Sequence, residues 1–113
     1  MAKYLVTGSY TAESWAAQIE NPQNRIEVIG KQMAAMGVNI LAGYLAFGDT
    51  DLVIIIEGPD DITAAAMLMK VASTGAVSNL STTVLVDPED AVEAMKEAKD
   101  FGYTPPKLSL IHI

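Results

Sequence analysis

Five consecutive aliphatic residues, Leu52 to Ile56, constrain the fold of this chain more than any other segment. A strand covered on one face alternates apolar and polar residues, whereas this segment is apolar at every position, so both of its faces need cover. Helices of the same chain can cover one face. The simplest cover for the other is the same surface of a second subunit, packed sheet to sheet about a two-fold axis. The segment therefore predicts a homodimer or a higher assembly of dimers, with Leu52, Val53, Ile54, Ile55 and Ile56 as its dimer or core strand.

The composition agrees with one small domain that associates with copies of itself. The chain has 113 residues, of which 50% are hydrophobic and 19% are charged, so it can build a core but has no room for a second domain. A domain of this size buries only part of its surface on folding, and this sequence carries more apolar side chains than a monomer easily hides. We predict a single domain over residues 1–107, followed by a non-native or disordered tail over residues 108–113.

The tail is interpreted separately because CTG TCT CTT ATA CAC ATC encodes its six residues and resembles a transposon end used to prepare sequencing libraries. The alternative is a natural edge strand, since leucine and isoleucine favour strands. The choice matters because His112 is the only histidine of the chain. Without it, a Ser-His-Asp triad and histidine-based zinc or iron sites lack their base or ligands.

Turn and cap residues divide the chain into alternating strands and helices. A first helix begins after Thr11 and is interrupted at Pro22, and Asp60 and Asp87 precede two later helices. The second main helix carries Ile62, Ala66, Met69 and Ala72 on one face. The order strand, helix, strand, strand, helix, strand predicts an α+β, ferredoxin-like split βαβ fold of the dimeric α+β barrel type, with an antiparallel sheet, helices on one face and an added C-terminal helix. The predicted strands are Tyr4 to Thr7, Ile40 to Phe47, Leu52 to Ile56 and Val77 to Val86.

Four segments resemble the GYD domain family: YLVTGSYTAE, AGYLAFGDTDLVIIIEGPDD, STGAVSNLSTTVLV and GYTPP. The resemblance covers residues 3–106. In the motif turn Gly48 and Asp51 match the family, while Thr50 stands where the family usually has tyrosine. The resemblance implies a ferredoxin-like fold of the dimeric α+β barrel kind, and it implies very little about activity because the family is largely uncharacterised.

Charge and cysteine content exclude several classes of partner and chemistry. Seven basic residues against fourteen acidic ones give a net charge of −7, so nucleic acids and anionic membranes are not expected partners. Cysteine is absent, which removes thiol nucleophiles, redox pairs and thiolate metal sites. No apolar segment is long enough for a signal peptide or a membrane span. We expect a soluble, cytoplasmic protein whose residues require no metal and no organic cofactor.

The remaining candidates for a site are aromatic and acidic side chains. Tyr44 is predicted to share a strand face with the smaller residues Ile40, Ala42 and Ala46, which leaves room for a pocket beside its ring. Tyr10 and Trp15 flank the start of the first helix and are predicted to line the same pocket, with a hydroxyl donor and a flat indole wall. Asp51 adds a charge at the mouth of an apolar strand, where a carboxylate needs backbone donors or a function. The competing interpretation places all three aromatic rings in the core or at an interface.

The other charged residues suit local structure. Asp49, Glu57, Asp60 and Asp61 are typical of a turn, a strand end and a helix start, so we predict no metal site. Arg25 and Lys31 are interpreted as solvated helix charges, with an anchor for an anionic ligand as the alternative for Arg25. We predict a non-catalytic small-ligand-binding or regulatory module that takes an apolar or aromatic ligand. The alternative is a cofactor-independent oxygenase or isomerase of the dimeric α+β barrel type.

Overall fold

The computed structural model describes residues 1–107, so the predicted tail and His112 lie outside the described residues. These residues form, in order, a strand, two helices, two strands, a helix, a strand and a helix, and each element begins or ends close to a predicted boundary. The strands are β1 (Ala2–Tyr10), β2 (Asn39–Leu45), β3 (Leu52–Gly58) and β4 (Val77–Leu85), and the helices are α1 (Ala12–Glu20), α2 (Arg25–Ala34), α3 (Asp61–Ser73) and α4 (Pro88–Lys99).

Side-chain caps set three of the helix starts. Thr11 accepts a hydrogen bond from the Ser14 N–H, and Asn24 and Asp60 do the same for the third residue of α2 and of α3. Each cap satisfies a backbone donor that the first turn of a helix leaves unpaired. The predicted break at Pro22 is confirmed, because α1 ends at Glu20 and α2 begins at Arg25.

The four strands form one antiparallel sheet in the order β2-β3-β1-β4. Strand β3 lies inside the sheet and pairs with both β1 and β2, which explains its apolar sequence. Its side chains alternate in burial. Leu52, Ile54 and Ile56 are buried on one face, and Val53 and Ile55 lie partly exposed on the other. We call the second surface the open face; it comprises Leu5, Val53 and Ile55 at its centre, with Lys3, Thr7, Ser9, Ala42, Tyr44, Glu57, Ser81, Thr83 and Leu85 around them.

Helices α1, α2 and α3 lie against the opposite face, so the predicted ferredoxin-like fold is confirmed. Helix α2 comes so close to the sheet that a Cβ atom at Gly43 would lie 2.8 Å from Ile26 Cγ2. A side chain at this position therefore requires α2 to move. The core between helices and sheet consists of Tyr4, Val6, Met33, Val38, Leu52, Ile54, Ile56, Ala64 and Met67.

The helices do not form a continuous layer. Helix α2 packs on β2, while α3 packs on β4 and β3, so a gap remains between the two helices above the centre of the sheet. Helix α4 has no buried residue and exposes Val92 and Met95. Within residues 1–107 no helix has the length and apolarity needed to cross a bilayer.

Two features differ from the sequence analysis. The predicted apolar face of α3 points to solvent, with Ile62 81% and Met69 70% exposed, and Ala64 and Met67 are the residues that it buries. This helix is apolar on nearly all sides, so hydrophobic periodicity cannot select its inner face. In β2, a register shift after Ile40 adds one residue to the strand. Ile40 therefore faces the helices while Tyr44 lies on the open face, and the expectation that they share a face is wrong.

Candidate functional site

The gap between α2 and α3 forms a cleft with a volume of about 310 Å³. Its floor consists of Val6, Leu52 and Ile54 from the two central strands, and Ile29, Met33 and Leu68 form apolar walls. A second cavity of about 360 Å³ lies further along the same two helices and shares Ile29, Gln32, Met33, Lys70 and Val71 with the first. The two cavities together form one groove, which we call the interhelical cleft. Its first cavity has the size and the largely apolar lining of a small-molecule site.

Tyr10 lies at one end of this cleft, where β1 leads into α1. The Tyr10 and Trp15 rings meet edge to face, with their centroids 5.2 Å apart and an angle of 72° between their planes. This arrangement is favourable for two aromatic rings. The structure thus brings together two of the aromatic residues that the sequence analysis selected.

Asp51 joins the same end of the sheet. Its carboxylate Oδ2 accepts a hydrogen bond from the Tyr10 N–H at 3.0 Å. Its backbone N–H donates to the Gly8 carbonyl at 2.9 Å, and its carbonyl accepts from the Ala46 N–H at 2.8 Å. Asp51 therefore fastens the β2–β3 turn to the end of β1, which supplies the backbone donor that a carboxylate at this position needs. The motif residue Gly48 lies in that turn, with no atom within 4 Å of where its Cβ would be.

The environment of Tyr10 keeps its hydroxyl protonated. Burial raises the pKa of Tyr10, and the Asp51 carboxylate adds to the increase while the Arg25 guanidinium opposes it. A tyrosine with a raised pKa remains neutral at physiological pH. Tyr10 is therefore suited to donate a hydrogen bond and not to remove a proton from a ligand.

Tyr44 lies elsewhere. Its side chain is 70% exposed and stands opposite Val53, on the open face of the sheet. The sheet separates it from the cleft that contains Tyr10. Of the four residues predicted to bind a ligand, the structure groups Tyr10, Trp15 and Asp51 and places Tyr44 on another surface; a ligand-binding role for any of them stays a prediction.

Lys70 and Gln32 also line the cleft, although neither was predicted as a site residue. Each is a polar residue at an exposed helical position, and no local motif marks either residue. Arg25, considered as an anion anchor, lines the cleft with them. Arg25, Gln32 and Lys70 come together because α2 and α3 pack over the same sheet. Their proximity depends on the tertiary fold, and no pattern in the local sequence indicates it.

The strand order and the helices on one face of the sheet define a small α+β protein of the ferredoxin-like, dimeric α+β barrel type, with an apolar cleft between two of its helices. The model of the GYD domain matches residues 4–95 of the chain, and the chain belongs to the GYD domain family. This confirms the resemblance in the sequence.

Known proteins similar to this chain support the same fold. A curated protein of Thermus thermophilus, the glutamine synthetase and cystathionine beta-lyase binding protein, is 27% identical over 81 residues, which cover 72% of this chain and 85% of that protein. The crystal structure of FFRP-DM1 matches 76% of this chain and 100% of its own with a TM-score of 0.52 and 17% identity. The hypothetical protein PHS023 from Pyrococcus horikoshii matches 76% of this chain and 90% of its own, with a TM-score of 0.50 and 14% identity.

Proposed function

We propose that this GYD-domain protein is a non-catalytic binding or regulatory module that acts in the cytoplasm as a homodimer. The open face of the sheet carries this proposal. Leu5, Val53 and Ile55 form an aliphatic centre there, and no helix of residues 1–107 packs over it. Polar side chains such as Lys3 and Thr7 surround the centre. An apolar centre with a polar rim is the usual composition of a protein interface.

A second copy of this chain is the partner that fits this surface best. In a two-fold dimer the open face of one subunit contacts the open face of the other, so a single interface covers both apolar centres. Two sheets packed face to face bury their facing side chains in one layer. Lys3 and Glu57, which lie opposite each other on β1 and β3, place both signs of charge at the edge of the patch. A two-fold operation can therefore pair unlike charges across the interface.

A role in binding other proteins is supported by the relative from Thermus thermophilus, whose name states that it binds glutamine synthetase and cystathionine beta-lyase. We extend the general role, binding of another protein, to this chain. Exposed apolar side chains on α4, Val92 and Met95, provide contact area for such a partner outside the sheet. The cleft between α2 and α3 provides the site for a small apolar or aromatic ligand that regulates this binding.

The alternative, a cofactor-independent oxygenase or isomerase, requires a group beside the substrate that accepts a proton. Tyr10 lines the cleft and was predicted to bind a ligand, and its raised pKa favours the neutral hydroxyl. This observation favours ligand binding over proton abstraction.

Sedimentation equilibrium of the wild-type protein at micromolar concentration tests the assembly. We expect twice the chain mass of 12.0 kDa, or a multiple of that dimer. A mass of one chain over the whole concentration range contradicts the proposal, because a monomer leaves the open face in water.

A further inference from the structure

Two cationic side chains line the interhelical cleft from opposite walls. Arg25 is the first residue of α2, and Lys70 lies near the end of α3. None of the residues that line the two cavities is acidic. This is unusual for a chain with a net charge of −7 and only seven basic residues. The cleft is therefore a locally positive site on an acidic protein, which favours anions.

Both cations are available to a ligand. The ion pairs within residues 1–107 join Lys3 to Asp87, Lys31 to Glu27 and Lys96 to Glu93. Arg25 and Lys70 thus have no carboxylate within 4.0 Å in the described part of the chain. Lys31, on the same helix as Arg25, is paired and lies outside the cleft. Lys99 and Lys107 also have no such partner among residues 1–107, but Arg25 and Lys70 are the unpaired cations that line the cleft.

The rest of the lining indicates what the anion is attached to. The floor and walls are aliphatic, with Val6, Leu52, Ile54 and Leu68 among them. A free inorganic anion gains nothing from such a surface, whereas an apolar group gains about 25 cal/mol for each Å² removed from water. Gln32, Ser14 and Thr74 add neutral hydrogen-bonding groups near the charges.

We propose that the interhelical cleft binds a small organic anion, with an aromatic or branched aliphatic body over the β1 and β3 floor and a carboxylate between Arg25 and Lys70. The guanidinium can hold both carboxylate oxygens, and the ammonium of the opposite wall adds a second charge-assisted contact. Tyr10 donates its hydroxyl from the end of the cleft. This inference rests on the small-ligand role proposed above and specifies the chemistry of the ligand.

A matched pair of fluorescent probes tests the proposal with the full chain. Anilinonaphthalene sulfonate carries an apolar body and one negative charge, and N-phenyl-naphthylamine has a nearly identical body without the charge. Both are titrated into the wild type and into the variants Arg25→Gln and Lys70→Gln. These positions are at the surface, so the variants are expected to fold. Lys31→Gln is the control on α2, and Lys3→Gln is the control on the open face.

We expect the anionic probe to bind the wild type more tightly than the neutral probe. Each of the two cleft variants should weaken the anionic probe by about tenfold, the loss of one charge-assisted contact. The neutral probe should bind all variants alike, and both controls should bind both probes as the wild type does.

Four outcomes overturn the inference. Unchanged affinity of the anionic probe in Arg25→Gln and Lys70→Gln shows that the cleft cations do not hold the anion. A loss confined to Lys3→Gln places the probe on the open face. Equal binding of both probes to the wild type refutes the preference for anions but leaves the proposed ligand-binding role intact. Binding of neither probe refutes the ligand-binding role as well. Sedimentation of the same samples reports the dimer independently.

Discussion

Ile54 and Ile55 are neighbours in β3 whose side chains lie on opposite faces of the sheet, so substituting each with lysine separates the fold from the assembly. Ile54 is 1% exposed and lies beneath the helices. Ile55 stands opposite Leu5 of β1 and Ala42 of β2 on the open face. Ile62→Lys is the matched control, because Ile62 is 81% exposed on α3.

Lysine at Ile54 acts on the stability of the fold, whereas lysine at Ile55 acts on the affinity of the dimer. At Ile54, lysine loses about 1.5–3 kcal/mol of side-chain burial, and an unpaired charge in the core costs about 3–5 kcal/mol more. Together these terms approach the whole stability of a small domain, about 5–15 kcal/mol. At Ile55 the monomer loses little, but in a two-fold dimer the substitution enters the interface twice. The same loss of about 1.5–3 kcal/mol, counted twice, weakens the dimer by about a hundredfold to ten-thousandfold.

The assay combines sedimentation velocity with urea unfolding followed by circular dichroism. We expect Ile55→Lys to sediment as a folded monomer, Ile54→Lys to lose its cooperative unfolding transition, and Ile62→Lys to behave as the wild type. A dimer of wild-type affinity in Ile55→Lys refutes the role of the open face. A normal unfolding midpoint in Ile54→Lys refutes the assignment of the two faces.

Three further predictions concern stability, each measured by urea unfolding. A hydrogen bond to a carboxylate of α3 raises the pKa of Tyr4 from 10.0 to about 12. The unfolded chain therefore releases this proton at lower pH than the folded chain, and the free energy of unfolding should fall as pH rises from 10 to 12. In Tyr4→Phe the decrease that is due to this proton should be absent. Gly43→Ala places a Cβ 2.8 Å from a side chain of α2 and should cost about 1–3 kcal/mol, whereas Gly48→Ala, with nothing within 4 Å, should cost little. Asp51→Ala removes the acceptor of a backbone N–H and should cost about 1–3 kcal/mol. The exposed Asp49 of the same turn should tolerate alanine. Equal losses of stability in the two glycine variants, or in the two aspartate variants, contradict these structural roles.

Element order and helix starts could be predicted because single residues determine them locally, whereas β1 extends beyond the predicted Tyr4 to Thr7 at both ends. Thr11 and Asp60 cap helices wherever they lie in the fold, and Pro22 interrupts a helix by its own ring geometry. The apolar run Leu52 to Ile56 predicted a strand, and the structure has a strand there, between β1 and β2. These inferences depend on a few neighbouring residues and on no distant contact.

The faces of two elements could not be predicted, for different reasons. In α3 both the exposed Ile62 and Met69 and the buried Ala64 and Met67 are apolar, so the contacts with the sheet decide which side is covered. In β2 one additional residue after Ile40 changes which face of the sheet each later residue of the strand occupies. Tyr44 therefore lies on the open face and not in the predicted pocket.

The two surfaces that carry the proposals meet in strand β3. Leu52 and Ile54 form the floor of the interhelical cleft, and Val53 and Ile55 belong to the open face. Because one backbone carries both sets, a ligand that shifts β3 also shifts the surface that we propose for the dimer. Such coupling is reciprocal, so the factor by which a ligand tightens the dimer equals the factor by which the dimer tightens the ligand. In the proposed role, the concentration of a small anion would in this way set the amount of dimer that a protein partner recognises.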